Sequence, residues 1–197
     1  MKALGLGLLA ALTVSGCAAR GHVATPAEIS LLEQTTGLSA SGRISLSGPR
    51  GRFSTRVVFG VARPDSLRIE MPDGAGLRFL LVSKGGSLRA DLPRDDAMFK
   101  GPGTREVMDG LFGIDLEPKA LVAAILGSPP NGLTAVWRFD RSLPAQVTIE
   151  GPNSTRLSLT LDDPEIKAPP AQAFDFPTPR QRLLTLEEMS DRLGLRR

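Results

Sequence analysis

Gly101-Pro102-Gly103-Thr104-Arg105-Glu106-Val107-Met108-Asp109-Gly110-Leu111-Phe112-Gly113-Ile114-Asp115-Leu116-Glu117-Pro118-Lys119-Ala120-Leu121-Val122-Ala123-Ala124-Ile125-Leu126-Gly127 is the stretch on which the fold turns. Thr104 can cap a helix in which Val107, Met108, Leu111 and Phe112 recur at helical spacing, and Gly113 ends it. Glu117-Pro118 opens a second helix over Leu121 to Leu126, which Gly127 and Pro129-Pro130 close. That second helix is apolar almost all round, so it is expected to be buried on several sides.

On both sides of this pair the period drops to two. Upstream, Ile44 and Leu46 alternate with polar residues, and Phe53, Thr55, Val57, Phe59 and Val61 share one face. Leu67, Ile69 and Met71 follow, then Leu77, Phe79 and Leu81, then Leu88, Ala90 and Leu92. Downstream come Ala135, Trp137 and Phe139, then Val147 and Ile149, then Leu157, Leu159 and Leu161. Turn residues such as Pro72-Asp73-Gly74 separate the runs. Alternation of this kind predicts antiparallel strands with one wet face. Two flanking helices carry capping boxes, Thr25-Pro26-Ala27-Glu28, with Gly37 as its stop, and Thr185-Leu186-Glu187-Glu188. About eight or nine strands with two helices inserted midway predict an α+β fold, a strongly curved antiparallel sheet or incomplete β-barrel whose open apolar side the helices cover.

The N-terminus has a different character. Met1-Lys2 precedes an apolar run from Ala3 to Val14, then Ser15-Gly16-Cys17. A basic start, a short apolar run and small residues at its end describe a cleaved secretory signal. The run is too short to span a bilayer as a helix, which takes roughly 20 apolar residues. Its end, Val14-Ser15-Gly16-Cys17, resembles a bacterial lipobox, which implies cleavage before Cys17 and lipid on its thiol. Ala18 in place of an Asp then implies outer-membrane sorting. The expected organisation is a signal peptide over 1–16, a lipidated tether over 17–24 and one domain over 25–197.

Composition narrows the function. The chain carries 24 Lys and Arg against 21 Asp and Glu, well mixed, which does not mark a nucleic-acid binder. The only Cys is Cys17, and the only His, His22, falls in the tether and reads as solvated. The sequence contains no zinc-type Cys/His cluster, nucleophile elbow or phosphate loop. Asp95-Asp96 and Asp162-Asp163 read as solvated turn carboxylates. The expectation is a non-enzyme with no cofactor and no metal.

The order of these features, and above all the helix, Leu-Phe-Gly turn and second helix ending in Leu126-Gly127, resembles the LolB-like outer-membrane lipoproteins and their uncharacterised relatives. Gly42 and Leu67-Arg68-Ile69-Glu70 fit the same pattern. The resemblance implies an incomplete barrel whose cavity receives acyl chains. It implies a monomer on the periplasmic face of the outer membrane, accepting lipoproteins or lipids from a LolA-like periplasmic carrier. On this reading the cavity lining is Ile44, Leu46, Phe53, Val57, Phe59, Leu67, Ile69, Phe79, Leu81, Leu111, Leu121, Ile125, Trp137 and Phe139. The same residues could equally form a filled core, as in an envelope binding or assembly lipoprotein. In the family the turn after the third strand can present an apolar tip to the membrane. Here it reads Pro72-Asp73-Gly74, and an acidic Asp73 resists insertion into lipid. The need for an enclosure is physical. At about 0.8 kcal/mol per methylene, exposing an acyl chain of about sixteen carbons to water costs on the order of 12 kcal/mol.

Overall fold

The computed structural model describes residues 21–49 and 51–194; the signal segment 1–16 and Cys17 lie outside them. In chain order the elements are β1 (His22–Val23), α1 (Pro26–Gln34), β2 (Gly37–Gly48), β3 (Gly51–Ala62), β4 (Ser66–Asp73), β5 (Gly76–Lys84), β6 (Ser87–Leu92) and β7 (Ala97–Pro102). The helices α2 (Arg105–Phe112) and α3 (Pro118–Ile125) follow, then β8 (Thr134–Asp140), β9 (Leu143–Glu150), β10 (Arg156–Glu165), β11 (Arg182–Leu183) and α4 (Leu186–Leu193). All strands join one sheet in the order β1-β8-β9-β10-β2-β3-β4-β5-β6-β7-β11, which is not closed. Pairing is antiparallel except between β11 and β7. The curved sheet with helices on its apolar face is the architecture the alternation predicts.

The alternation decides which face is inside. Ile44 and Leu46 on β2, Val57 and Phe59 on β3, Leu67 and Ile69 on β4 and Phe79 and Leu81 on β5 are buried, as are Trp137 and Phe139 on β8. Burying one such side chain fully contributes about 1.5–3 kcal/mol, so this face dominates stability. Strand register brings β10 against β2, and there a glycine is required. A Cβ on Gly42 would lie 1.9 Å from the carbonyl oxygen of Thr160. Gly37, expected to stop α1, instead opens β2, because α1 already ends at Gln34 with Thr35 in extended conformation.

Both capping boxes form. Thr25 accepts from the Glu28 amide while Glu28 takes the Thr25 amide, and Thr185 and Glu188 do the same for α4. These amides hold the Glu28 and Glu188 carboxyls below the usual carboxylate range.

The tether expectation needs correction at its C-terminal end. His22 and Val23 pair with Phe139 and Arg138 of β8, and the Ala24 amide donates to the Trp137 carbonyl at 2.9 Å. The folded domain therefore includes residues 22–24, whose free backbone groups complete the edge of β8. His22 reaches Glu28 at 3.0 Å and is half exposed.

Residues 166–181 form a strap on the face of the sheet opposite the helices, which the one-wet-face expectation does not foresee. A Cβ on Gly60 would lie 2.8 Å from Pro169, and Arg68 donates to the Ala173 carbonyl at 2.9 Å. Further along, Arg89 donates to the carbonyls of Pro177 at 2.5 Å and Thr178 at 2.7 Å. The strap therefore buries an outward-facing ion pair. Asp91 is 0% exposed and accepts two bonds from Arg89, at 2.7 and 3.1 Å. Leu80 and Val82 are buried under the same strap.

Candidate functional site: an apolar interior and its mouth

Thirteen of the expected lining residues fall in one hydrophobic core, and Phe53 packs against it half-buried. Ile44, Val57, Phe59, Leu67, Ile69, Leu121 and Ile125 come together, with Leu157 and Leu159, around a void of only about 10 Å³. A second void of about 10 Å³ lies among Ile44, Leu46, Ile69 and Leu121, with Met71, Met108, Phe112, Ile114 and Leu157. Each holds at most about one water by volume and offers it no polar partner. Phe79, Leu81, Leu111, Trp137 and Phe139 are buried in the same core but line neither void. Leu157, Met71 and Met108, outside the expected lining, carry the same alternation or helical spacing that marks the others.

The interior is occupied by α3. Leu121 and Ile125, four residues apart, share its inward face and are each 1% exposed. The helix has little to hold it besides apolar contact. Its N-cap residue Glu117 makes no side-chain capping bond. At its other end the Arg63 guanidinium donates to the Leu126 carbonyl at 2.7 Å and to the Thr35 carbonyl at 3.1 Å, clasping the ends of α3 and α1 to β3.

At the opposite end of α3 lies a cavity of about 350 Å³. It opens between the β2–β3 hairpin, the turn after α2 and the start of β10. Leu46, Phe53, Phe112 and Ile114 supply its apolar wall, and Ser47, Arg52 and Thr155 its polar groups. Leu46, Phe112 and Ile114 also border the second void, so this mouth and the interior share a wall. Gly113 makes the turn possible: it sits at φ 68° and its amide closes α2 on the Asp109 carbonyl.

Pro72, Asp73 and Gly74 lie at the tip joining β4 to β5, which the antiparallel order places at the same end of the sheet as the mouth. The Ala75 amide, donating to Asp73 at 2.8 Å, and the Arg94 guanidinium hold the Asp73 carboxyl below its usual range. The tip therefore carries a fixed ionic pair.

Among the described residues no group of His, Cys, Asp and Glu is placed to hold a metal ion. No helix among them is long and apolar enough to cross a membrane. Trp137 Nε1 is buried without an acceptor, a deficit of about 1–3 kcal/mol within the core.

No protein-family model matches the chain, and no curated protein matches it. Among solved structures it is similar to a LolA superfamily protein from Nitrosomonas europaea, at 8% identity and TM-score 0.43, covering 79% of this chain and 99% of that one. An uncharacterized conserved protein from Thermus thermophilus is 8% identical at TM-score 0.40, over 80% and 96% of the two chains. A DUF1329 family protein from Desulfovibrio piger is 9% identical at TM-score 0.43, over 75% and 95%. Each is a distant likeness, and no residue's role passes from them to this chain.

Proposed function

We propose that this chain is a non-enzymatic outer-membrane lipoprotein, anchored through Cys17, whose apolar interior takes up acyl chains of lipoproteins or lipids in the LolB-like manner. The supporting observation is the shared wall between the 350 Å³ mouth and the interior that α3 fills. An acyl chain enters by displacing α3, a helix without a side-chain N-cap and held chiefly by apolar contact. The chain replaces those contacts with its own. Mass spectrometry of the purified protein under non-denaturing conditions is expected to find co-purifying lipid, and an apolar dye is expected to be displaced by added fatty acid. A protein that carries no lipid and binds neither dye nor fatty acid would contradict this reading.

The second reading, a binding or assembly lipoprotein with a filled core, draws on one observation: the two interior voids have room for about one water each.

The anchor has its own test. Replacing Cys17 with Ala is expected to abolish incorporation of radiolabelled fatty acid; undiminished label on the variant sinks the lipoprotein assignment. Four residues separate Cys17 from His22 at the strand end, a reach of at most about 18 Å. They attach near the end of β8, at the opposite end of the sheet from the mouth. On this proposal the mouth and the Asp73 tip face away from the anchoring membrane, toward a soluble LolA-like carrier.

A further inference from the structure

The strap covers the outer face of β3 only around Gly60; toward the mouth, strand register arranges the outer face of β10, β2 and β3 as three rows. Arg156, Ser47 and Arg52 form the row nearest the mouth; Ser158, Ser45 and Ser54 form the next; Thr160, Arg43 and Arg56 form the third. No carboxylate occupies any of these positions. All four arginines are exposed. Arg156 has a loose contact with Glu150 at 3.8 Å, and Arg43 approaches the Ser54 hydroxyl at 3.5 Å. Among the described residues neither Arg52 nor Arg56 has a carboxylate partner. Asp162 lies one row further from the mouth, opposite Ser41, and Glu70, opposite Val58, is engaged by Arg68 at 2.6 Å.

Arg43 and Arg56 are direct cross-strand partners. Like charges in that position tend to repel across a sheet, which concentrates positive charge on this face. Neighbouring strands are about 4.8 Å apart and alternate residues about 6.7 Å apart along a strand, so flexible arginine side chains on the outer rows can converge over the serine row. A depression of about 460 Å³ lies there, lined by Ser45, Ser54, Ser158, Arg52 and Arg156 among others. It shares Leu46, Ser47, Arg52 and Phe53 with the mouth, so the two run into each other over the rim of the β2–β3 hairpin. Among the described residues, Arg52 is the only charged one lining the mouth.

We propose that the ligand is an amphiphile with a phosphate head, its chain entering at the mouth and its head held over the rim by Arg52 and Arg156 with the adjoining serines. The proposal rests on the acyl-binding reading above and names the ligand class for that site. Guanidinium groups bind phosphate oxygens in pairs of parallel hydrogen bonds, and serine hydroxyls supply further donors. Arg52 without a carboxylate and Arg156 with only the loose contact to Glu150 suit a multivalent phosphate better than a monovalent carboxylate or a neutral head. The triacylated N-terminus of a lipoprotein, which carries no charge on its amine, leaves these arginines without a partner.

The test compares hexadecyl phosphate, hexadecanoate and hexadecanol, equal in chain, for displacement of an apolar dye from the full chain carrying Cys17→Ala. Hexadecyl phosphate is expected to bind at least tenfold tighter than the alcohol and tighter than the carboxylate. The variant with Arg52→Gln and Arg156→Gln is expected to lose that preference while keeping its affinity for the alcohol. The alcohol thus reports on the fold and the interior in the same experiment. Inorganic phosphate alone is expected to displace no dye. Equal binding of phosphate and alcohol, or a preference that survives the double variant, overturns the head-group assignment. A carboxylate bound as tightly as the phosphate overturns the choice of phosphate. Failure of all three ligands, the alcohol included, overturns the acyl-binding reading itself.

Discussion

Replacing Asp91 with Ala is expected to lower the stability of the domain by about 3–5 kcal/mol, read as a shift in the midpoint of a urea melt with little change in slope. Asp91 is fully buried and neutralises Arg89, whose side chain is itself only 6% exposed. Arg180 adds a more distant contact at 3.8 Å. Without the carboxylate, Arg89 remains buried as an uncompensated cation with only the strap carbonyls of Pro177 and Thr178 as partners. Removing both charges, with Arg89→Leu and Asp91→Leu, is expected to recover part of the loss. It cannot recover all of it, because the two carbonyls then lose their donors. A loss below about 1 kcal/mol for Asp91→Ala would mean that water reaches the pair and that the strap does not seal it.

Ile125→Asp is the second variant with a large expected effect. Ile125 lies against Ile44, Val57 and Phe59 around the inner void, and among the described residues no cationic side chain lines that space. Burying a carboxyl there costs several kcal/mol even in its protonated form. The strands hydrogen-bond to one another and not to α3, so the helix is expected to loosen before the sheet does. Dye and acyl-chain binding should fall strongly while the circular dichroism of the sheet is mostly kept. Unchanged acyl binding would show that Ile125 does not line the site. Global unfolding would favour the filled-core reading, in which α3 belongs to one indivisible core.

What was legible in the sequence followed from local periodicity. The helix starts at Thr25, Thr104, Glu117 and Thr185 are where their caps and prolines place them, because capping is a matter of adjacent residues. The inward faces of β2 to β6 and β8 to β10 were equally readable from strict alternation. β1 and β11 were not, since two-residue strands carry no period and exist only because a neighbouring edge needs partners. Arg89 and Asp91 occupy outward positions, on the face the alternation marks as wet. Their burial comes from a segment almost ninety residues later, whose prolines mark an irregular course without saying what it crosses. The arginine rows are hidden along the chain for a related reason. Arg43, Arg52, Arg56 and Arg156 look like ordinary wet-face residues along the chain, and only the pairing of β10 with β2 gathers them.

That same pairing sets the order in which the molecule can assemble. Ser41 on β2 donates to the carbonyl of Asp162 on β10 across 121 positions of chain. β2 and β9 each need β10 as a neighbour, so until β10 arrives each presents an open strand edge. Contacts of such long range close slowly, because the loop entropy comes due before the contacts reward it. Open edges in the meantime invite pairing with other chains. For a polypeptide threaded N-terminus first through a membrane, the hairpins from β2 to β7 can form early, but the sheet cannot become continuous until β10 and the strap have emerged. On the export route proposed above, completion of the sheet waits for the tail, and a chaperone that shields strand edges during that interval is expected to raise the yield of folded protein.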